Sequence, residues 1–199
     1  QAFETIGIKS VYSDKPFWVF LMVSFITAMI FFQLFTTLPL YHKEMYGLTE
    51  FQTGLLMTLN GFLIFLLEMP IVTFFERKNV NKLKVVFVGS LCMAIGFYAL
   101  LLNVWVGILV VNILFLTFGE MFAFPFSNSF ALSRAPRGQE GRYMAFYTMS
   151  FSLAHIMSSK SGMDVIDHFG YQVNWVVMGT FGLVAAGCAV WVLKMVREE

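Results

Sequence analysis

Two carboxylates, Glu68 and Glu120, a histidine, His155, and a lysine, Lys160, fall inside long apolar stretches, together with the amides Gln33, Asn60 and Asn112. An ionisable side chain near the centre of a bilayer costs at least about 2.5–3.5 kcal/mol, so each such residue is a functional candidate by default. A carboxyl group can carry a proton or hold a cationic group. An imidazole or ammonium can meet an anion or neutralise those carboxylates, and amides can orient a polar solute by hydrogen bonding. Glu120 is the deepest carboxylate, about 22 Å of helix rise from Trp105. Glu68 lies closer to the opposite end, where a loop base could pair with it. Each residue also has a structural reading. Gln33, Asn60 and Asn112 could be interhelical glue, His155 a neutral ring satisfied by a neighbour, and Lys160 a side chain that snorkels outward along its stem.

Enzyme signatures are absent: there is no H-E-x-x-H, no G-x-S-x-G and no P-loop. His42 and His168 fall at outer loops and His155 in mid-span, so no two histidines share a helical face at metal-ligand spacing. Cys92 and Cys188 stand in separate apolar stretches without paired spacing, which predicts packing roles and no disulfide. No metal and no cofactor are expected.

The elements that must position these residues are membrane helices. Of the 199 residues 58% are hydrophobic and 13% charged, with a mean hydropathy of +0.74, against about 25% charged residues in ordinary soluble domains. Apolar runs long enough to cross about 30 Å of hydrocarbon recur along the whole chain. They predict six spans, at about 16–41, 51–75, 83–102, 104–132, 142–167 and 173–194. Residues 1–15 form a cytoplasmic, amphipathic lead-in, and 16–199 form one six-helix transmembrane domain. The first residue is Gln1, and the opening segment has none of the features of a signal peptide, so a fragment of a longer protein is expected. A net charge of +1 with scattered bases argues against nucleic acid.

Basic residues set the orientation, since Lys and Arg are retained in cytoplasmic loops. Lys9, Lys15, Arg77, Lys78, Lys82, Lys84, Arg134, Arg137, Arg142, Lys194 and Arg197 fall on one side and only Lys43 on the other. Both termini are therefore expected in the cytoplasm, and Lys160 is the base left within a span.

Polarity repeats with a period of three helices. Spans one, two, four and five carry strong polar residues, whereas the interiors of three and six carry none. Two three-helix units joined by an odd number of crossings are inverted relative to each other, as in many transporters. Pro39 after Gln33 and Pro125 after Glu120 reinforce the repeat, because proline frees a carbonyl that a membrane tolerates only where protein or water can satisfy it. In the fifth span Thr148, Ser152, His155, Ser159 and Gly162 share one helical face. His155 lies about 20 Å and Lys160 about 27 Å of helix rise from Arg142.

Three segments, QLFTTLPLYHKEMYGLTEFQTGLLMTLNGFLIFLLEMP, FGEMFAFPFSNSFALSRAP and GRYMAFYTMSFSLAHI, resemble the carboxyl-terminal half, helices seven to twelve, of a major facilitator superfamily transporter. The likeness is nearest to the drug/proton antiporter-like branch. It implies an all-α membrane fold of two inverted three-helix repeats, with spans one, two, four and five lining a central cavity. Glu76–Arg77 resembles the second-half copy of the family's acidic–basic loop motif, which implies a gating role. The family's glycine- and proline-rich run in the fifth span is replaced by SSKSGM, where Gly162 matches and Lys160 does not.

The resulting expectation is secondary transport of a small solute, proton-coupled efflux by alternating access, in the plasma (inner) membrane with a missing amino-terminal six-helix half as partner. Glu120 and Glu68 would couple protons, and Gln33, Asn60, Asn112, His155 and Lys160 would meet the substrate. Alternatives are a proton-coupled importer or carrier of anionic solutes, favoured by Lys160 and His155, and a non-transporting receptor or assembly module on the same scaffold.

Overall fold

In a computed structural model of the protein, which describes residues 11–102 and 105–198, the chain is all-helical among the described residues. The expected lead-in up to residue 10 and part of the junction between the third and fourth spans lie outside the described residues. A short 3-10 turn, Val11–Ser13, leads into α1, Lys15–Phe32, whose start is fixed by Asp14 and by Pro16 in the first turn. Proline is suited to that position because its missing N–H would have had no partner there.

The first span, expected as one helix over 16–41, is broken. After α1 the backbone tightens into a 3-10 turn, Gln33–Phe35, passes through Thr36 at φ −118° and restarts as α2, Thr37–Tyr46. The break places Pro39 in the first turn of a new helix rather than in the middle of an old one. Threonines cover carbonyls at the break: Thr36 donates to the Phe32 carbonyl at 3.2 Å and Thr37 to that of Gln33 at 3.4 Å. Gly47, at φ 64°, ends α2 in the left-handed conformation that glycine adopts without strain. His42, expected in an outer loop, is instead wholly buried within α2.

The remaining helices follow the hydropathy pattern. They are α3, Glu50–Arg77, with a Thr49–Gln52 capping box; α4, Lys82–Leu100, capped by Asn81; α5, Gly107–Arg134; α6, Glu140–Phe169; and α7, Tyr171–Arg197. The first span and α3, α4, α5 and α7 are long and apolar enough to cross a membrane. At 30 residues α6 rises about 45 Å and is long enough as well, but its polar residues make it less apolar. Asn174, near the start of α7, is fully buried.

Packing obeys the inverted repeat, with α1–α2, α3 and α4 as one unit and α5, α6 and α7 as the other. The contact of α4 with α5 has its counterpart in that of α7 with α1, and the contact of α3 with α5 in that of α6 with α1, while α4 and α7 meet each other across the pseudo-axis. Between α4 and α5 the backbones approach so closely that a Cβ on Gly89 would lie 2.8 Å from the Gly119 carbonyl oxygen and the Ala123 nitrogen. Small residues allow such approaches in membrane bundles, where packing replaces the hydrophobic drive. The two flanking helices are different. Asn60 is the single buried residue of α3, and α6 buries only Tyr143, Tyr147, Ala154, Ser158 and Gly162.

Candidate functional site

The site starts from Glu120, halfway along α5 and mostly buried. The Asn60 amide of α3 donates to Glu120 Oε2 at 3.2 Å and to the Thr117 hydroxyl at 3.0 Å, while Thr117 itself donates to the Ile113 carbonyl at 2.7 Å. Among the described residues Glu120 makes no ion pair, since the pairs there are Arg134–Asp14 and Lys43–Glu50. Glu68, the second carboxylate of the expected set, lies on α3 with Asn60. It lies eight residues beyond Asn60, about 12 Å further toward the inner end. There Glu68 lines a cleft of about 470 Å³ with Phe124, Pro125, Asn128, Tyr147, Thr148 and Phe151.

An aromatic shelf fixes the depth of His155. Phe124 of α5 meets Phe151 of α6 at 5.1 Å between ring centroids, and the two helices run in opposite directions. One turn outward from each lie Glu120 and His155, which are therefore level with one another. The His155 ring packs on Phe32 at 4.4 Å, and Phe32 packs on Phe151 at 5.4 Å. His155 is otherwise exposed toward the open side of the bundle.

The other candidates separate. Gln33 is fully buried and its amide is saturated: Nε2 donates to the Ser158 carbonyl and hydroxyl, both at 2.9 Å, and Oε1 accepts from Thr37 at 2.6 Å and from Asn174 at 3.4 Å. It ties α1, α6 and α7 together, and a Cβ at Gly162 would collide with it. Asn112 faces α4, donating to the Gly96 carbonyl at 3.0 Å. Lys160 is exposed, with no hydrogen bond or ion pair among the described residues, on the outward stripe of α6 that carries Met149, Leu153 and Ile156. Glu76 and Arg77 are exposed at the last turn of α3, and Glu76 borders a separate cleft of about 500 Å³ with Lys82, Asn79, Asn81, Ser129 and Ser133. Of the expected set, Glu68 lines the cleft bordered by Phe124 and Phe151, while Glu120, joined to Asn60, and His155 stand level with one another one turn beyond its Phe124–Phe151 contact.

Sequence reasoning missed a second polar cluster at the inner end. Asp14 accepts from Arg134 Nε and Nη2, each at 2.9 Å, from the Tyr143 hydroxyl at 2.9 Å and from the Phe17 amide at 3.1 Å. Burial alone would raise the pKa of Asp14, but these donors, the Arg134 guanidinium first, hold it below its ordinary value of 3.8. The signal was present in Asp14-Lys15-Pro16, a helix-capping pattern.

The Major Facilitator Superfamily sequence pattern matches residues 1–159, and the chain belongs to that family of membrane transporters rather than to an enzyme family. Among curated relatives, a Na(+), Li(+), K(+)/H(+) antiporter of Planococcus maritimus is 22% identical over 93% of this chain and 46% of its own length. The uncharacterized MFS-type transporter YttB of Bacillus subtilis (strain 168) is 28% identical over 69% of this chain and 34% of its own. The chain thus spans less than half the length of these relatives. The fold is shared with a POT family transporter crystallised with 5-aminolevulinic acid, at TM-score 0.79 and 17% identity over 98% of this chain and 44% of that one. A second POT structure, in complex with a thioalcohol-conjugated peptide, gives TM-score 0.77 at 18% identity over 92% and 41%.

Proposed function

We propose that this chain is the carboxyl-terminal six-helix half of a proton-coupled transporter that exports a small solute by alternating access. Residues 16–199 form the transmembrane domain, the lead-in and both termini are cytoplasmic, and the membrane is the plasma (inner) membrane. The missing partner is an amino-terminal six-helix half, which would close the groove between α3 and α6. Support comes from the share of the relatives' length that the chain spans and from the sparse burial of α3 and α6.

One observation carries the mechanism: Glu120 is a half-buried carboxyl whose one hydrogen-bond partner among the described residues is the neutral Asn60 amide. A carboxyl so placed can hold a proton or, when ionised, a cationic group, but not both at once. Such mutual exclusion is the simplest basis for exchanging the two across a membrane. Asn60 keeps the carboxyl aimed into the groove, Glu68 offers a second acidic station nearer the cytoplasm, and His155 faces Glu120 from the opposite wall. The antiporter activity named for the Planococcus relative supports proton exchange. It also favours a second reading, in which the exported species is an alkali cation.

In full-length protein reconstituted into sealed vesicles, Glu120→Gln should abolish solute movement driven by an imposed pH gradient. Retained gradient-driven transport in a correctly folded Glu120→Gln protein would sink the assignment. Sodium or potassium efflux that is lost in the same variant would select the alkali-cation reading.

A further inference from the structure

Thr117 stands one turn before Glu120 on α5 and is fully buried. A threonine hydroxyl has one proton to give and two lone pairs with which to accept. Here the proton goes to the Ile113 carbonyl at 2.7 Å, the usual back-bond of a threonine within a helix. The oxygen can therefore only accept from its other neighbour, the Asn60 amide nitrogen at 3.0 Å. The second hydrogen of that same nitrogen is given to Glu120 Oε2 at 3.2 Å. Turning the Asn60 amide over would set its carbonyl oxygen against a hydroxyl with no proton left to offer and against a carboxylate. The direction of the relay from Asn60 through Thr117 to Ile113 is thus fixed from the Thr117 end.

We infer that Thr117 is a positioning residue for proton uptake: by giving its own proton to Ile113 it holds Asn60 as a donor to Glu120 Oε2 and leaves Oε1 as the oxygen where the proton binds and leaves. This rests on the proposal that Glu120 is the proton-exchanging group. An incoming proton takes a lone pair of Oε1, and Oε2 becomes the carbonyl oxygen of the acid. The hydrogen bond from Asn60 is kept in both states, weaker to the neutral acid than to the carboxylate. Without the Thr117 hydroxyl the amide is free to turn and to accept the O–H of the acid with its own carbonyl oxygen. The protonated form then gains a partner that the native arrangement denies it. The ionisable groups nearest the level of Glu120 on the flanking helices are Glu68 of α3 and His155 of α6, while α1 and α4 carry no carboxylate, histidine or base beyond their first turns. A substitution at Thr117 leaves all of these in place.

The test is an infrared titration of purified full-length protein in lipid vesicles, in which the carboxylic C=O band removed by Glu120→Gln reads the protonation of Glu120. Thr117→Val keeps the shape of the side chain and removes the hydroxyl. It should move the midpoint of that band toward alkaline pH by about half to one unit, because a hydrogen bond to the neutral form favours that form. It should also raise the band's frequency, since the C=O no longer accepts from Asn60. Thr117→Ser, which keeps the hydroxyl, should leave both values as in the parent, and Thr117→Ala supplies the same comparison if Thr117→Val folds poorly. A band that titrates in the Val or Ala variant as it does in the parent overturns the inference and leaves Thr117 as a packing residue. So does a band that moves as far in Thr117→Ser as in Thr117→Val, because the hydroxyl would then not be the cause. The transport reading fails by a different observation, pH-driven transport retained in Glu120→Gln, whatever the band does in the Thr117 variants.

Discussion

Two carboxylates in this molecule, one buried and one half-buried, are built in opposite ways. Asp14, at the inner ends of α1, α5 and α6, accepts four hydrogen bonds, two of them from one guanidinium. Glu120, midway along α5, accepts from a single neutral amide and faces a groove. The first arrangement keeps a charge permanently in place. The second leaves a carboxyl with one neutral hydrogen-bond partner among the described residues and, in the proposed mechanism, a charge that comes and goes. Charge-assisted hydrogen bonds are about twice as strong as neutral ones, which widens the gap.

The contrast can be broken by experiment, beginning with the largest effect. Asp14→Ala removes two charge-assisted hydrogen bonds from the Arg134 guanidinium and one from the Tyr143 hydroxyl, and the purified protein should lose about 3 kcal/mol of stability in denaturant or thermal unfolding, as other broken buried pairs do. A loss no greater than that of Glu120→Gln would remove the distinction. Acid should act next. Because the Asp14 pKa is depressed in the folded protein, its contribution is complete above the ordinary value of 3.8 and disappears as the pH falls below it. Stability measured from pH 5 downward should therefore drop in the parent, and that part of the drop should be missing in Asp14→Asn. Asn60→Ala comes third, at about 1–2 kcal/mol, because Thr117 and Glu120 lose their donor. Glu120→Gln should be the mildest, changing stability by less than about 1 kcal/mol because an amide fills the same space and can still accept from Asn60.

Hydropathy and turn residues made most of the architecture legible. The positions of the spans, their inverted repeat and the family follow from apolar run length and from segments such as FGEMFAFPF. The interruption at Gln33–Thr36 was not legible, because Pro39 says that a helix must yield but not whether it kinks, as a proline-containing span often does, or restarts. Pro70 and Pro125 sit inside unbroken helices. For the candidate site, polar residues within apolar runs were legible in the sequence, but the direction each side chain takes was not. Periodicity places Gln33 on a face of α1 without saying that Ser158 and Asn174, more than a hundred residues away, will saturate it. Arg134 was counted for topology alone because its partner lies 120 residues earlier. Lys160 and His155 are near neighbours in sequence, yet five residues turn a helix by about 140°, so they look in different directions.

Gln33 has a mechanical consequence for the whole bundle. Its amide links the end of α1 to α6 and α7, and it stands at the very point where the backbone of the first span gives up α-helical geometry. Fastening and redirection thus share one residue: the side chain of Gln33 ties the bundle together while its backbone starts the turn from which α2 sets out on a new course, with Leu38, Tyr41 and His42 buried.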